Sequence, residues 1–491
     1  MSENWQIDGI DPDTGAPVAP ALSVADMAAM ARGRPEDAPN YAALLRFADP
    51  WLGGGEAEAA PAEPSRQEIM ALKQRADAKG QKTLGLMDGY DGTQLASAGW
   101  GLVFAQDDPQ APAIREALAE LIAHRKQAAG NENPQRFRDD LVYVPGQTKT
   151  KWQADYNAGP GRVNPDLLPY YLLLVGDVAR IPWRFQSQLG VQHAVGRLFF
   201  EDIAGYKAYA DSVLSSERGE EAKATREALF FCPETDSPVR KAKANLLDPL
   251  RAQAEAAGWK TDGLYDEDAT GERLATRLTD APSRLLITST HGASRSTIET
   301  DADRRLQGAL RCAPRMDTRW FSGDRISDAM DLRGTISVHT ACFGAGTPRM
   351  DSLAQAVTKG QRVAPKSSAP TDQVAWLGQR MLSLRNGALA FVGHVDRTCN
   401  TSWVAFSEGR KVENRGHFTD MLGRLLQGHP VGWALDPFGD WFSEKDSTLR
   451  SLIDAEPGEE PTDEELGYAW LSAKDASGWV ILGDPATRLR V

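Results

Sequence analysis

The chain has 491 residues, and its 55 Lys and Arg against 68 Asp and Glu give a formal charge of −13. This negative charge excludes a general nucleic-acid binder, because phosphate contacts require clustered Lys and Arg. The hydrophobic fraction of 41% is sufficient for a full core. The most apolar short run, at 170–175, is far below the ~20 residues that span a bilayer, so we expect no membrane partner.

The N-terminal residues carry neither the basic nor the apolar region of a secretory signal. The chain has four cysteines, which are Cys232, Cys312, Cys342 and Cys399. They are too few for a disulfide framework, and no two have the close spacing of a zinc site. We therefore expect a reduced, cytoplasmic protein, in which one well-placed cysteine can be a nucleophile.

Residues 1–82 are predicted to form an acidic, Ala- and Pro-rich arm that is partly flexible. Residues 1–64 alone hold 11 acidic residues against three Arg, and eight of the 29 prolines. One short helix is predicted at 24–31, and 41–51 is a candidate docking segment. This composition is typical of a solvated tail, and a regulatory segment is the alternative.

From residue 83 strand and helix patterns alternate, which indicates an α/β fold with a mainly parallel sheet sandwiched between helices. The first subdomain is predicted at 83–224. Its expected strands are 101–105, 141–144 and 170–175, and its expected helices are 113–127 and 203–217. Pro182 is expected to prevent a helix soon after the third of these strands.

The alternation restarts near residue 225, so 225–491 is predicted to be a second subdomain fused to the first. Its expected strands are 229–232, 285–290, 335–340, 388–392 and 479–482. Its expected helices are 239–257, 374–384 and a late helix that begins with the capping box of Thr462 and Glu465.

Two of these strands end in reactive side chains. Strand 285–290 is followed by His291 and Gly292, and strand 335–340 is followed closely by Cys342. Ligands of an open parallel sheet bind beyond the carboxyl ends of its strands, and thiolate attack needs a basic partner. His291 and Cys342 are therefore the candidate catalytic dyad. The N–H groups of Gly292 and Cys342 are candidates for an oxyanion hole.

The remaining cysteines and the nearest histidine have simpler explanations. Cys232, Cys312 and Cys399 have no histidine partner and are expected to pack in the core. His339 precedes Cys342 by three residues. Strand alternation turns its side chain away from those of its even-numbered neighbours, so we expect it to be structural.

Several motifs in a shared order resemble those of caspase-like, clan CD cysteine peptidases. The segments 170–177, 181–182 and 195–198 resemble the first subdomain of gingipain-type peptidases. The segments 290–292, 340–344 and 482–485 resemble the catalytic subdomain shared by gingipains, CHAT proteases and caspases. Caspases place the His about 50 residues before the Cys, and the separation here is 51 residues.

This resemblance implies a caspase–hemoglobinase-like fold and peptide-bond hydrolysis. Cys342 would attack the scissile carbonyl, and His291 would protonate the leaving amine. Neither a metal nor another cofactor would be needed. The expected partner is a protein or peptide substrate. By analogy with bacterial relatives, an activating small molecule or partner protein would control a role in antiviral defence or cell death.

The substrate preference does not follow from the resemblance. Thr340 stands where caspases carry Gln and metacaspases carry Asp. The stretch 183–193 lacks the acid that Arg-specific gingipains carry there. Gln188 and Asp396 are the candidate substrate-binding residues, and an ordinary turn carboxylate is the alternative for Asp396.

The loop 359–373 is a candidate for self-cleavage, because caspase-like enzymes are often cut at this point. It holds Lys359, Arg362 and Lys366, and an ordinary surface loop is the alternative. Two other interpretations of the whole chain stay open. One is a catalytically idle ligand sensor or scaffold, and the other is a doubly wound nucleotide-dependent enzyme. The intact dyad argues against the first, and the lack of a Gly-Lys-Ser/Thr phosphate loop argues against the second.

Overall fold

The computed structural model describes residues 9–17, 23–32, 84–219, 225–280, 283–295, 298, 300–313, 319–349, 372–407, 410–456 and 458–491, and the backbone of 356–358 and 361–363. At its centre is a sheet of ten strands. In chain order they are β1 (Trp100–Ala105), β2 (Phe137–Tyr143), β3 (Tyr171–Val175), β4 (Ala194–Leu198), β5 (Glu227–Cys232), β6 (Lys260–Tyr265), β7 (Leu285–Ser289), β8 (Ile336–Thr340), β9 (Ala390–His394) and β10 (Trp479–Gly483).

The sheet consists of two parallel halves that run in opposite directions. The strand order is β2-β1-β3-β4-β10-β9-β8-β7-β5-β6. Neighbouring strands are parallel except β9 and β10, which are antiparallel. The last strand of the chain thus extends the first half and joins it to the second. Because the direction reverses there, the carboxyl ends of the two halves lie at opposite edges of the sheet.

Helices flank this sheet, which confirms the predicted mixed α/β class. In chain order they are α1 (Val24–Ala31), α2 (Leu95–Ala98), α3 (Ala111–Ala117), α4 (Ala119–Gly130), α5 (Lys149–Asp155), α6 (Trp183–Leu189), α7 (Ile203–Arg218), α8 (Ser237–Ala242), α9 (Asp248–Ala256), α10 (Gly271–Asp280), α11 (Asp301–Leu306), α12 (Trp376–Ser383), α13 (Gly416–Leu426), α14 (Val431–Ile453) and α15 (Asp463–Ala476). The capping box of Thr462 and Glu465 begins α15 as predicted.

The central strands are buried on both faces, which explains their continuous apolar runs. Every residue of β3 is buried. Leu173 and Val175 belong to the core on one face, and Leu172 and Leu174 belong to a second core on the other. Alternate side chains of one strand therefore anchor helices on both sides of the sheet.

Two local predictions are wrong for identifiable reasons. Pro182 does not prevent a helix, because it is the N-cap of α6 in extended conformation (φ −61°, ψ 154°). Its missing N–H is not needed at a helix start. The predicted helix 239–257 is divided, because a π-helical turn at Lys243–Leu247 separates α8 from α9.

Two stretches of the predicted arm pack against the second half of the sheet. Gly9–Ile10 pairs with Gly292–Ala293, and α1 packs on α15. Residues 41–51, Lys359 and Lys366 lie outside the described residues. Arg362 lies in a short hairpin formed by Ala356–Thr358 and Gln361–Val363. The boundaries 1–82, 83–224 and 225–491 stay predictions. No helix in the described ranges is long and apolar enough to cross a bilayer.

Candidate active site

His291 and Cys342 lie side by side at one edge of the sheet. β7 and β8 are neighbours, and Ser289 lies opposite Thr340. The pairing continues for one step, because the Thr290 N–H donates to the Thr340 carbonyl at 3.1 Å. His291 and Cys342 therefore leave the sheet at the same level. The structure brings together the two residues that the sequence predicts as the dyad.

Gly292 is required by the contact between these two segments. A Cβ at this position would lie 1.8 Å from the carbonyl oxygen of Cys342 and 3.1 Å from its nitrogen. Only glycine permits such a close approach of two backbones. The role of the Gly292 and Cys342 N–H groups as oxyanion donors stays a prediction.

The turn that follows Cys342 has a constrained backbone. Phe343 has a φ of +59°, a value that is uncommon for a residue with a side chain. Its N–H donates to the Asp396 carbonyl at 2.6 Å, and the Ala345 N–H donates to the His394 carbonyl at 3.0 Å. Strained backbone of this kind clusters at functional sites, where the surroundings hold it in place. The loop after β9 thus fixes the direction in which Cys342 points.

A third residue, Asp236, completes the site, and sequence analysis missed it. Asp236 follows β5, which lies beside β7 on the side away from β8. Its Oδ2 lies 2.6 Å from Nε2 of His291, and its Oδ1 accepts a hydrogen bond from the Val239 N–H at 3.3 Å. The available signal was an acid shortly after a predicted strand. The sequence alone does not show the order of the strands in the sheet, which places β5 beside β7 and so Asp236 beside His291.

The hydrogen bond between Asp236 and His291 fixes the charge of the carboxyl group and the tautomer of the imidazole. Burial by itself would raise the pKa of Asp236, but the hydrogen bond and charge of His291 and the Val239 N–H hold this pKa below its ordinary value of 3.8. Asp236 is therefore a carboxylate at neutral pH, and Nε2 of His291 donates to it. Nδ1 becomes the nitrogen that can exchange a proton with a substrate.

Cys342 is covered by the loop that follows β9. Its Sγ lies 3.6 Å from the carbonyl oxygen of Thr398. This loop is held from behind by Asp475 of α15, a fully buried carboxylate. Asp475 accepts hydrogen bonds from the Thr401 and Ser402 hydroxyl groups at 2.6 and 2.7 Å. The wall beside the thiol is therefore tied to the last helix of the chain.

The dyad is almost closed to solvent. The His291 side chain is 3% exposed and Cys342 is 1% exposed, whereas the Asp236 side chain is 37% exposed. A scissile carbonyl has to come within about 3.5 Å of the attacking sulfur. With these exposed fractions, the thiol has to become more accessible before a peptide carbonyl can reach it.

The other cysteines and His339 lie in the core, as predicted. Burial raises the pKa of the Cys232 and Cys312 thiols to about 12. Cys399 packs in the small core between α1 and α15. The His339 ring stacks on Phe391 with centroids 4.1 Å apart, and burial lowers its pKa to about 3.

The two candidate substrate residues lie at this same edge. Asp396 is buried, has a φ of +75°, and its Oδ1 accepts a hydrogen bond from the Arg397 N–H at 2.8 Å. Gln188 lies in α6, and its carbonyl accepts a hydrogen bond from Lys149 Nζ at 3.0 Å. The neighbouring Ser187 hydroxyl donates to the Ser477 carbonyl, just before β10. Asp396 thus touches the turn after Cys342, while Gln188 lies over the first half of the sheet.

Within the described ranges, no group of three or more His, Cys, Asp or Glu side chains is arranged to hold a metal ion. The described side chains at this site offer three reactive groups: the carboxylate of Asp236, the imidazole of His291 and the thiol of Cys342. A carboxylate orients an imidazole, and an imidazole can take a proton from a thiol and return it to a leaving group.

Neither a protein-family profile nor a curated protein matches the sequence. Among solved structures, the chain is similar to gingipain R, an Arg-specific cysteine proteinase, with 12% identity, a TM-score of 0.41, and coverage of 80% of this chain and 78% of that one. It is also similar to the complex of the pro- and mature domains of RgpB from Porphyromonas gingivalis, with 12% identity, a TM-score of 0.44, and coverage of 80% of each chain. A third similar structure is described as a protease, with 12% identity, a TM-score of 0.46, and coverage of 81% and 80%. These likenesses concern the path of the chain, so the function proposed below rests on the side chains of this protein.

Proposed function

We propose that the chain is a cysteine peptidase, with Cys342 as the nucleophile and His291 as the general acid and base. The observation that carries the proposal is the hydrogen-bonded pair of Asp236 and His291 beside Cys342, at the carboxyl ends of adjacent strands. A thiol becomes a strong nucleophile when a base takes its proton, and a base acts best when a third group orients it.

The reaction would proceed in two halves. His291 takes the proton of Cys342, and the thiolate attacks the scissile carbonyl to form a tetrahedral oxyanion. His291 then gives this proton to the amine as the C–N bond breaks, which leaves a thioester on Cys342. In the second half His291 removes a proton from water, the hydroxide displaces the thiolate, and the carboxylic acid product leaves. The N–H groups of Gly292 and Cys342 would hold the oxyanion, and one such donor is worth about 3–4 kcal/mol in other enzymes.

Substrate contacts form part of the same proposal. Asp396 is joined to the nucleophile turn through the Phe343 N–H. Gln188 lies on a helix at the same edge of the sheet. We assign both to the substrate-binding surface. Replacing Asp396 with Asn or Gln188 with Ala should change the residue preferred before the scissile bond more than it changes the melting temperature.

The cellular location, the substrate class and the regulation of the enzyme are also part of our proposal. We place it in the cytoplasm, acting on a protein or peptide and controlled by a small molecule or a partner protein, in antiviral defence or cell death. The support is the sequence alone: the chain is rich in acid and poor in cysteine.

The proposed function is tested with a peptide library under reducing conditions. The wild-type chain is compared with Cys342→Ala and with Cys232→Ala, which removes a buried thiol at the end of a neighbouring strand. We expect cleavage by the wild type and by Cys232→Ala, and none by Cys342→Ala. A peptide-based thiol-reactive probe should label Cys342 alone.

Two results would contradict this assignment. Cleavage that persists in Cys342→Ala would show that another group is the nucleophile. Silence of every variant, including the strap variants described in the next subsection, would favour the ligand sensor or scaffold. The near-complete burial of His291 and Cys342 is the observation that favours this alternative.

A further inference from the structure

A segment near the start of the chain lies directly beside the dyad. We call residues 9–17 the N-terminal strap. Gly9 and Ile10 pair in parallel with Gly292 and Ala293, the two residues that follow His291. The Ser294 N–H donates to the Ile10 carbonyl at 2.8 Å. The strap therefore occupies the free side of the short strand at 292–293, whose other side pairs with Leu310–Arg311.

The strap also touches the residue after the nucleophile. A Cβ on Gly9 would lie 3.0 Å from the ring of Phe343 and 3.0 Å from Ser294. Gly9 thus lies between the backbone that follows His291 and the side chain that follows Cys342. Both Gly9 and Ile10 are buried, so this stretch of chain fills space next to the dyad.

Outside this pairing, Pro12 is also buried, whereas residues 13–17 of the strap are exposed. Asp13, whose side chain is 71% exposed, forms an ion pair with Arg295. The indole N–H of Trp320 donates to the Pro12 carbonyl at 3.4 Å. Exposed ion pairs contribute little to stability, and a two-residue ladder is short. Such a segment belongs to the parts of a fold that open first.

The helix that follows the strap along the chain is attached more firmly. Met27 and Met30 of α1 pack against Trp470 and Leu471 of α15 and against Cys399. These contacts reach the back of the loop that covers Cys342. The strap and α1 therefore contact different segments around the site, and α1 can keep the strap nearby after the strap has left its strand partner.

We propose that the N-terminal strap is an intramolecular inhibitor that closes the active site by adding a strand at 292–293, and that its release admits the substrate. This inference rests on the proposed peptidase function. Extended peptides bind to proteins by adding to an exposed strand edge, and the strap uses the same main-chain bonding. While the strap is in place, the dyad is shielded as observed, and opening of the strap precedes the reaction.

Two full-length variants release the strap in independent ways. Gly9→Val adds branched carbon atoms where Phe343 and Ser294 leave no room. Asp13→Lys replaces the ion pair with Arg295 by a repulsion and does not touch the dyad. The matched controls are Gly159→Val, where an added Cβ meets open space, and Asp88→Lys, which removes the exposed partner of Arg162 in the first half of the sheet.

The main measurement is the rate at which iodoacetamide alkylates Cys342, followed by mass spectrometry of its peptide. Gly9→Val should raise this rate about tenfold or more and Asp13→Lys about threefold, because local opening limits access to a buried thiol and an exposed charge pair contributes less than a buried contact. Both controls should react like the wild type. Cys232 and Cys312 should stay slow in every folded variant, and fast reaction at all four cysteines identifies a variant that has not folded.

A synthetic peptide of residues 9–17 provides the complementary test. Added to Asp13→Lys, it should slow the alkylation of Cys342 and inhibit peptide cleavage. A scrambled peptide that acts equally well would overturn the specific pairing. An unchanged alkylation rate in both strap variants would overturn the strap as inhibitor. Faster alkylation without cleavage of any library peptide would support the strap and contradict the peptidase function instead.

Discussion

The two edges of the sheet carry similar residues in different states. At the edge of the second half, Asp236 is paired with His291 beside Cys342. At the opposite edge, Asp484 follows β10 and is fully buried. Its Oδ2 accepts from Nε of Arg125 at 2.7 Å, and its Oδ1 accepts from the Trp100 indole at 3.0 Å. The guanidinium of Arg125 also contacts Glu217 at 2.6 Å.

The difference shows what separates a structural carboxylate from a catalytic one at the end of a strand. The charges of Asp484, Arg125 and Glu217 are satisfied within the fold, so this cluster joins α4 and α7 to the end of β10. Asp236 instead orients an imidazole whose second nitrogen can serve a thiol and a substrate. The segment 482–485, one of the motifs that carry the family resemblance, thus lies at the structural edge and not at the candidate site.

The largest effect should come from His291→Ala. Peptide cleavage, measured as kcat/KM, should fall about 10³-fold, because general acid–base catalysis by a positioned side chain contributes 10²–10⁴-fold. The free energy of unfolding in urea should change little by comparison. If His291→Ala instead lost much of its stability and kept its cleavage activity, this edge would be structural, and our assignment of the two edges would be wrong.

The opposite pattern is expected for Asp484→Ala. Loss of this carboxylate leaves Nε of Arg125 and the Trp100 indole N–H without their acceptor, and only Glu217 remains to balance the buried guanidinium, which costs about 3 kcal/mol in the free energy of unfolding. Denaturant titration measures this cost. Activity per folded molecule should stay near that of the wild type. The double variant Asp484→Ala with Arg125→Met should recover part of the loss, and no recovery would contradict the pairing.

Asp236→Asn should have an intermediate effect on activity. The amide keeps the shape but loses the charge that orients and stabilises protonated His291, so kcat should fall about 10²-fold with a smaller change in KM. Asp236→Glu should restore part of the rate. Equal rates for the wild type and Asp236→Asn would remove Asp236 from the site.

The same variant reports on the pH dependence of stability. Because the pKa of Asp236 is lowered in the folded state, its contribution is fully present above the ordinary value of 3.8 and is lost as the pH falls through the folded value. Urea titrations between about pH 2 and about pH 5 should therefore show an acid-sensitive component in the wild type that Asp236→Asn lacks.

The smallest effect is expected for Asp475→Asn. An amide cannot accept all the hydrogen bonds that hold the loop over Cys342, so kcat/KM should fall about tenfold through loosening of the site. Burial raises the pKa of Asp475, so the carboxylate is costly to bury and its loss need not destabilise the fold. Ser472→Ala, on the same helix and also buried, is the matched control and should leave kcat/KM unchanged.

The sequence predicts the dyad because each member directly follows a strand with a strong apolar pattern. It also predicts α1 and the capping box of α15, whose signals lie within a few residues. The sequence does not predict the role of Asp236, because that role depends on β5 lying beside β7. The sequence does not predict the strand pairing of Gly9, because its partner, Gly292, lies far along the chain. The helix after Pro182 was wrongly excluded, because a proline can precede a helix as well as interrupt one.

Sequence by itself determined the α/β class, the mainly parallel sheet, and the two residues that carry the proposed chemistry, because periodicity and strand ends are local properties. The tertiary structure alone decided three further points: the reversal of direction at β10, the acid that orients His291, and the strap beside the dyad. Each of these is a pairing between segments far apart in the chain. Such pairings are selected by the packing of the whole sheet, and no short stretch of residues encodes them.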